Sequence, residues 1–242
     1  MTKPEFRVLP NAAEIASAVA NHVAQTLKAK PAATLGLATG NTFVPIYAAL
    51  IDLYRQNGFS FSEAASFNLD EYVGLAKDHP ASFRAYMRQR LFDHVDLPID
   101  RGMLPETEGD LAADCAAYEA AIAARGGIDL QLLGIGRNGH IGFNEPGSPF
   151  DSRTRVVELT QSTIEANKGD FPPGELPPPS AVTMGIGTIV EAREIVLVAT
   201  GANKTEALSR AFNAPKDVDC PASALQDHPH VIIYCDPAAL PA

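Results

Sequence analysis

Residues 134–147 carry the densest group of side chains that could do chemistry. The segment reads GIGRNGHIGFNEPG and follows an apolar run at 130–135 that is typical of a buried strand. Its glycines relax the backbone, so that several polar side chains can converge on one point. Histidine exchanges protons near neutral pH, and a neighbouring carboxylate can orient it. We therefore interpret Asn138, His140 and Glu145 as parts of a catalytic site.

Four apolar runs end in distinctive polar sequences, which is where an open parallel sheet presents a ligand site. They read LGLATGNT at 35–42, SFNLDEY at 66–72, LLGIGRNGH at 132–140 and VLVATGANK at 196–204. Ligands bind beyond the carboxyl ends of parallel strands, so all four strand ends would lie along one rim. This shared edge would join residues that are distant in the chain into one site.

Two of these strand ends have the form of phosphate-binding turns. The first turn consists of Thr39, Gly40, Asn41 and Thr42. It lies between a strand and a helix, where free N–H groups and the helix dipole favour an anion. In the second turn, TGANK, Lys204 stands at the helix start and can pair with a phosphate. The first turn alone is more typical of an ordinary βα connection, and Lys204 alone of a solvated helix residue, but two such turns on one rim together with a lysine favour a phosphate site.

The acidic pair Asp70–Glu71 ends another predicted strand. Adjacent strand residues face opposite sides, so one carboxylate would face the crevice and the other would not. This favours a single catalytic carboxylate over a paired metal site, although a surface acidic pair fits the local sequence equally well. A metal site formed by His140 and Glu145 is disfavoured, because the usual zinc-ligand spacings are missing.

The elements that position these residues alternate between short apolar runs and helical patterns. Asn11 is predicted to cap a first helix with a buried stripe at Ile15, Val19, Val23 and Leu27. Further strands are predicted at 6–9, 34–38, 65–69, 130–135, 155–159, 195–200 and 231–235, and further helices after TGNT and near 81–94, 111–125, 162–167 and 204–212. Such alternation favours parallel strands joined by right-handed crossovers. We predict a Rossmann-like, doubly wound α/β fold with a mainly parallel sheet and helices on both faces.

A proline-rich stretch interrupts this pattern at 170–180, where the chain reads DFPPGELPPPS. Proline removes backbone donors and favours extended backbone, so the stretch is predicted to be a loop. Strands of similar character continue on both sides of it. We therefore expect a single domain over 1–242, with a surface excursion or active-site lid around 150–185, rather than a linker between domains.

The composition indicates which partners and which cellular compartment to expect. The 242 residues are 46% apolar and carry a formal net charge of −10. This acidity argues against binding to nucleic acids or anionic membranes, and an anionic substrate would need a local cationic site. The three cysteines are widely spaced without a CxxC motif, which fits a reducing cytoplasm. No membrane-length apolar stretch or secretory signal is evident, so we expect a soluble, cytoplasmic protein.

Five segments resemble those of the glucosamine-6-phosphate deaminase family. They are LGLATGNT, FNLDEYVGL, GIGRNGHIGFNEPG, SRTRVV and AVTMGIGTI, in the family's order and over nearly the whole chain. The resemblance implies an enzyme that converts D-glucosamine 6-phosphate and water to D-fructose 6-phosphate and ammonia in N-acetylglucosamine catabolism. It implies an aldose–ketose isomerisation combined with deamination, and neither a metal nor an organic cofactor.

The resemblance also implies roles for individual residues. His140 would open the sugar ring, and Glu145 would orient the imidazole and stabilise its charge. Asp70 would move the C2 proton to C1, which requires burial to raise its pKa above the usual value of about 3.9. Asn138 occupies a position where part of the family has aspartate, so it can act only through hydrogen bonds. Gly136 is expected to contact the substrate.

Three further departures from the family pattern bear on binding and regulation. The first turn reads TGNTF where TGGTP is common, and Lys168 stands one residue from the position of a phosphate-binding arginine. We expect Lys168 to bind the phosphate more weakly than arginine would. The chain stops soon after its last strand, and Val157 replaces a basic residue near the activator-contacting Arg155. We expect a short, non-allosteric form that works as a monomer or small homo-oligomer.

Three alternatives remain open from the sequence. A 6-phosphogluconolactonase on the same fold would need no proton abstraction by Asp70. A non-catalytic sugar-phosphate sensor would normally carry a DNA-binding helix-turn-helix, for which there is no room before Phe6. An enzyme for galactosamine 6-phosphate would differ only in the epimer it accepts, and no residue reads the C4 hydroxyl clearly.

Overall fold

A sheet of seven parallel strands runs through the computed structural model, which describes residues 4–241. The strands of the structure are β1 (Glu5–Val8), β2 (Thr34–Leu37), β3 (Ala65–Asn68), β4 (Asp70–Tyr72), β5 (Gly102–Met103), β6 (Leu130–Gly134), β7 (Arg155–Glu158), β8 (Ser180–Thr183), β9 (Glu194–Ala199) and β10 (Val231–Cys235). The helices are α1 (Ala12–Ala29), α2 (Val44–Asn57), α3 (Phe83–Arg90), α4 (Leu111–Ala124), α5 (Gln161–Asn167), α6 (Ile186–Val190) and α7 (Thr205–Phe212).

The strand order of this main sheet is β1-β10-β9-β6-β2-β3-β5. From β2 the chain builds outward through β3 to β5, returns to β6 on the other side of β2, and continues through β9 to β10. The direction of winding therefore reverses between β2 and β6, where open α/β sheets bind ligands. The predicted doubly wound, mainly parallel fold is confirmed.

The first helix shows how local sequence builds this architecture. The Asn11 side chain accepts hydrogen bonds from the backbone N–H groups of Ala13 and Glu14, both at 3.0 Å. These bonds satisfy donors that the first helical turn leaves free. The predicted stripe is buried, and α1 packs against α2 and β10. The cap and the apolar period together set where α1 begins and which face it buries.

A second, antiparallel sheet has the order β4-β8-β7 and is called the small sheet below. The prediction of one strand ending at Asp70 is wrong in this detail, because β3 ends at Asn68 and Asp70 begins β4. Only Leu69 separates the two. Its N–H donates to Leu37 O of the main sheet at 3.1 Å, and its carbonyl accepts from the Met184 N–H, just after β8, at 2.6 Å.

The strand predicted at 155–159 also belongs to the small sheet, where it pairs antiparallel with β8 rather than in parallel. An apolar cluster of Tyr72, Ala81, Phe143, Leu159, Phe171 and Ala181 is buried at this sheet, separate from the main core. The Tyr72 ring lies 5.6 Å from that of Phe143 and 5.4 Å from that of Phe171, centroid to centroid. Aromatic packing therefore ties the segment after α5 to β4.

Three short elements have no counterpart in the sequence predictions: β5, β8 and α6. The two-residue β5 is too short for a periodic pattern, and β8 directly follows the proline-rich loop. Among the helices in residues 4–241, none has both the length and the apolar character needed to cross a bilayer. All three cysteines are buried and unpaired.

Candidate active site

A cavity of about 790 Å³ opens where the carboxyl ends of β9, β6, β2 and β3 meet. These are four neighbouring strands of the main sheet, and they are the four whose polar ends the sequence singled out. The predicted site residues that line the cavity are Thr39, Gly40, Thr42, Asp70, Gly136, Asn138, His140 and Lys204. The volume is within the range typical of small-molecule sites and is large enough to hold a sugar phosphate.

Asp70 is buried, with 7% of its surface exposed, and lines the cavity. Burial disfavours the charged carboxylate and raises the pKa of Asp70 to about 8, and the neighbouring Glu71 charge adds to this rise. A carboxylate of this kind binds protons near neutral pH, unlike a free aspartate. The environment therefore gives Asp70 the property that abstraction of a carbon-bound proton requires.

Glu71 points away from the cavity, as strand alternation predicts. Its carboxylate accepts hydrogen bonds from the backbone N–H groups of Phe83 at 3.0 Å and Arg84 at 2.9 Å, at the start of α3. Burial raises the pKa of Glu71, and these hydrogen bonds oppose the rise. Since both acids are buried, the alternative of a surface acidic pair is wrong. Glu71 anchors α3, and Asp70 is the acid that faces the cavity.

The segment 134–147, called the histidine loop below, brings His140 to the cavity wall through close backbone packing. A Cβ atom on Gly136 would lie 2.2 Å from His140 Cε1, so only glycine lets the imidazole rest against this backbone. Gly142 has φ of +57°, and a Cβ there would lie 3.4 Å from the Asp70 carboxylate. The histidine loop therefore contacts His140 at Gly136 and passes beside Asp70 at Gly142.

Glu145 lies behind His140 and does not itself line the cavity. Its Oε2 atom is 3.7 Å from His140 Nδ1, too long for a hydrogen bond but close enough for electrostatic stabilisation of an imidazolium. The Asn138 amide donates to the same Oε2 at 2.7 Å, while its Oδ1 accepts from the His140 backbone N–H at 3.1 Å. Asn138 thus holds both partners by hydrogen bonds.

Three influences act on the pKa of the His140 ring. Burial lowers the pKa of His140, the Glu145 carboxylate raises it, and the Lys204 ammonium lowers it. Because burial is the largest of these, the pKa lies below its usual value and the neutral ring is favoured at pH 7. A neutral imidazole can accept a proton from a sugar hydroxyl.

Lys204 provides the cationic wall of the cavity. Its Nζ atom donates to Ile135 O at 2.6 Å, which fixes the ammonium beside the histidine loop. Burial, and to a smaller extent the Arg137 guanidinium, lower the pKa of Lys204. Across the cavity the turn of Gly40, with φ of +104°, leads into α2, whose start has no side-chain cap. A phosphate between Lys204 and this helix start would meet both a cation and a positive helix end.

Comparison with known proteins places this geometry in a family. The model of the glucosamine-6-phosphate isomerases/6-phosphogluconolactonase family matches residues 10–233. The chain belongs to this family. Glucosamine-6-phosphate deaminase from Rhodopirellula baltica is 51% identical over 236 residues, which cover 97% of this chain and 94% of that protein.

Solved structures of the family show the same fold. A monomeric glucosamine-6-phosphate deaminase superposes with a TM-score of 0.94 at 42% identity, covering 97% of this chain and 98% of that one. The 6-phosphogluconolactonase from Leishmania guyanensis superposes with a TM-score of 0.77 at 18% identity, covering 98% of each chain. The second likeness is one of fold alone, whereas the first extends to the sequence.

Two predicted phosphate ligands do not line the cavity of this family member. Asn41 is exposed on the first turn, and Lys168 is exposed after α5. Binding of phosphate by Lys168 stays a prediction, because the residue is exposed outside the cavity. Conversely, the cavity includes Arg137, Thr163 and Asn167, which the sequence did not single out. Arg137 stands within the motif already identified, but the other two reach the cavity only through the placement of α5.

Proposed function

We propose that this chain catalyses the conversion of D-glucosamine 6-phosphate and water to D-fructose 6-phosphate and ammonia. One observation carries the proposal: Asp70 and His140 line the same cavity as Lys204 and the turn at Thr39–Thr42. This set offers a base for a carbon-bound proton, a proton carrier for a sugar hydroxyl and a binding site for phosphate. The identity of 51% to a glucosamine-6-phosphate deaminase supports the same substrate.

Ring opening is the first step assigned to the histidine loop. The neutral His140 imidazole takes the proton of the C1 hydroxyl and returns a proton to the ring oxygen, so that the open-chain aldehyde forms. The imidazolium that exists between these transfers is stabilised by the Glu145 carboxylate, whose Oε2 lies 3.7 Å from Nδ1. Both side chains are partly shielded from solvent, which strengthens this attraction relative to water.

Isomerisation and deamination follow at C2. Ionised Asp70 takes the C2 proton, which gives an enolamine, and then delivers a proton to C1. The resulting C2 iminium adds water and releases ammonia, leaving the ketone of fructose 6-phosphate. The substrate ammonium acidifies the C2–H bond and favours the ionised form of Asp70, so the high pKa of the free enzyme suits a group that must both accept and donate a proton.

We further propose that residues 150–185 form a lid on a single domain. This segment contains α5, which supplies Thr163 and Asn167 to the cavity, and it is connected to Asp70 through the small sheet. The monomeric state of the solved relative supports a monomer as the working unit. Buried, unpaired cysteines agree with the expected cytoplasmic location.

The proposal is tested by incubating the purified chain separately with glucosamine 6-phosphate, galactosamine 6-phosphate and 6-phosphogluconolactone and measuring the products. Ammonia and fructose 6-phosphate should form from glucosamine 6-phosphate, with a lower kcat/KM for galactosamine 6-phosphate. If 6-phosphogluconolactone were hydrolysed and no ammonia appeared from either amino sugar, the chain would be a lactonase. Lack of turnover with all three substrates, in a folded sample, would overturn the enzymatic proposal.

A further inference from the structure

The Glu145 carboxylate is held from two separate elements. Asn138 of the histidine loop donates to Oε2, and the Thr163 hydroxyl of α5 donates to Oε1 in a short hydrogen bond. Only 12% of the Glu145 side chain is exposed, so these two donors largely replace water around it. The orientation of the carboxylate therefore depends on α5 as well as on its own loop.

The direction of the Thr163 hydrogen bond is fixed by a second threonine. Thr160, which caps α5, donates its hydroxyl to Thr163 Oγ1 at 3.0 Å. Since that oxygen already accepts a hydrogen bond, the hydroxyl proton of Thr163 is free to point at Glu145. Thr163 is itself buried, with 8% of its surface exposed. The buried Thr163 hydroxyl thus connects the exposed cap of α5 to the carboxylate.

The contact matters because the distance between Glu145 and His140 is not yet that of a hydrogen bond. His140 Nδ1 is buried and has no hydrogen-bond partner among the described residues, while Glu145 Oε2 stands 3.7 Å from it. A shift of less than about 1 Å would bring the two atoms to hydrogen-bond distance. The element that touches the other oxygen of the carboxylate can produce such a shift.

The same helix contacts the Asp70 side of the cavity. The Asn167 amide, at the end of α5, donates to the Tyr72 hydroxyl at 2.9 Å, and Tyr72 lies on β4 with Asp70. One short helix therefore contacts the carboxylate behind His140 through its first turn and the strand of Asp70 through its last residue.

We propose that Thr163 is a positioning residue that couples the place of α5 over the cavity to the contact between Glu145 and His140. This proposal rests on the function proposed above and adds a residue through which α5 affects His140. With α5 in place, Thr163 and Asn138 hold the carboxylate towards the imidazole. Without the hydroxyl, Glu145 turns away and His140 loses the anion that stabilises its charged form.

The test compares Thr163→Val, which keeps the side-chain shape, with Thr163→Ser, which keeps the hydroxyl. In the full chain, the NMR titration midpoint of the His140 ring, assigned with His140→Gln, should fall by about half a pH unit in T163V. The kcat for glucosamine 6-phosphate should drop on the order of tenfold, with KM changing less than about twofold. T163S should restore both values.

A matched control is Gln161→Ala on the exposed side of α5, where the side-chain amide donates a hydrogen bond to Glu165 at 3.1 Å. Q161A should behave as wild type. An unchanged midpoint and kcat in T163V would overturn the proposal, as would T163S resembling T163V or Q161A showing the same loss. If T163V did not fold, T163A must show the same shift. The titration needs no substrate, so an inactive wild type would refute the proposed function without deciding the role of Thr163.

Discussion

Asp70 stands on a strand at the junction of two sheets, whereas His140 stands on a loop rich in glycine. Burial beside Glu71 raises the pKa of Asp70 to about 8, and no hydrogen bond to its carboxylate is found among the described residues. His140 is half-buried, and its partner Glu145 is held by Asn138 and Thr163. The comparison teaches that burial shifts the pKa of both groups, but only His140 has a neighbouring charge that opposes the shift and that is held by hydrogen bonds from two elements.

The largest expected effect is on kcat and follows from a change at Asp70, the group on the strand. Asp70→Asn removes the base while nearly preserving shape, so kcat should fall by about 10³-fold or more. Steady-state release of ammonia from glucosamine 6-phosphate measures this. Asp52→Asn, the same change at an exposed position on α2, should leave kcat unchanged. Near wild-type turnover in D70N would remove Asp70 from the mechanism.

Loss of the loop-side proton carrier should cost less, because sugar rings also open without a catalyst. His140→Gln should lower kcat by about 10²-fold. His94→Gln, at an exposed site, serves as its control. Supplying substrate enriched in the open-chain form in a rapid-mixing assay should partly restore the initial rate of H140Q but not that of D70N. Equal restoration of both variants would contradict separate roles for the two sides.

A smaller effect is expected for the phosphate site that both sides share. Lys204→Ala removes a cation that lines the cavity together with Arg137, so KM should rise on the order of tenfold with a smaller change in kcat. Lys168→Ala should raise KM less than about twofold, since this residue is exposed outside the cavity. Initial-rate kinetics of K204A and K168A measure the two KM values. An equal rise in KM would show that α5 carries Lys168 inward when substrate binds.

The smallest expected effect is on stability. The pKa of Asp70 is raised from 3.8 to about 8, so the folded protein binds more protons than the unfolded chain within that range. The favourable contribution of protonated Asp70 to the free energy of unfolding is complete below about pH 4 and is lost as the pH rises through 8. D70N should therefore exceed wild type in free energy of unfolding, and by more at pH 8 than at pH 5. Urea unfolding at the two pH values measures this, and a pH-independent difference would contradict it.

Local sequence patterns were sufficient to predict the central strands and the polar residues at their ends. The strands β2, β3, β6 and β9 are almost entirely buried, so their apolar runs stand out, and each ends in polar residues that parallel topology brings to one rim. The alternation of Asp70 and Glu71 likewise follows from strand geometry. These features depend on residues adjacent in the chain and on one rule about parallel sheets.

The unpredicted part depends on tertiary contacts. No local signal separates β3 from β4, because Leu69 continues the apolar pattern while its backbone hydrogen bonds go to two different sheets. The contact between Thr163 and Glu145 joins positions on separate elements, and Thr163 alone resembles any polar residue in the first turn of a helix. The small sheet was missed for the same reason, since β8 is four residues long and β7 has exposed alternate positions.

The junction at Leu69 makes the position of Asp70 depend on how the two sheets are arranged. Because this residue donates to Leu37 and accepts from Met184, its peptide groups hydrogen-bond to both sheets and place Asp70 where the two sheets meet. A tilt of the small sheet against the main sheet would displace Asp70, whereas the phosphate turns belong to the main sheet. If the entrance opened by such a tilt, the base would be withdrawn at the same time, and the open enzyme would not react with a sugar that is only partly bound.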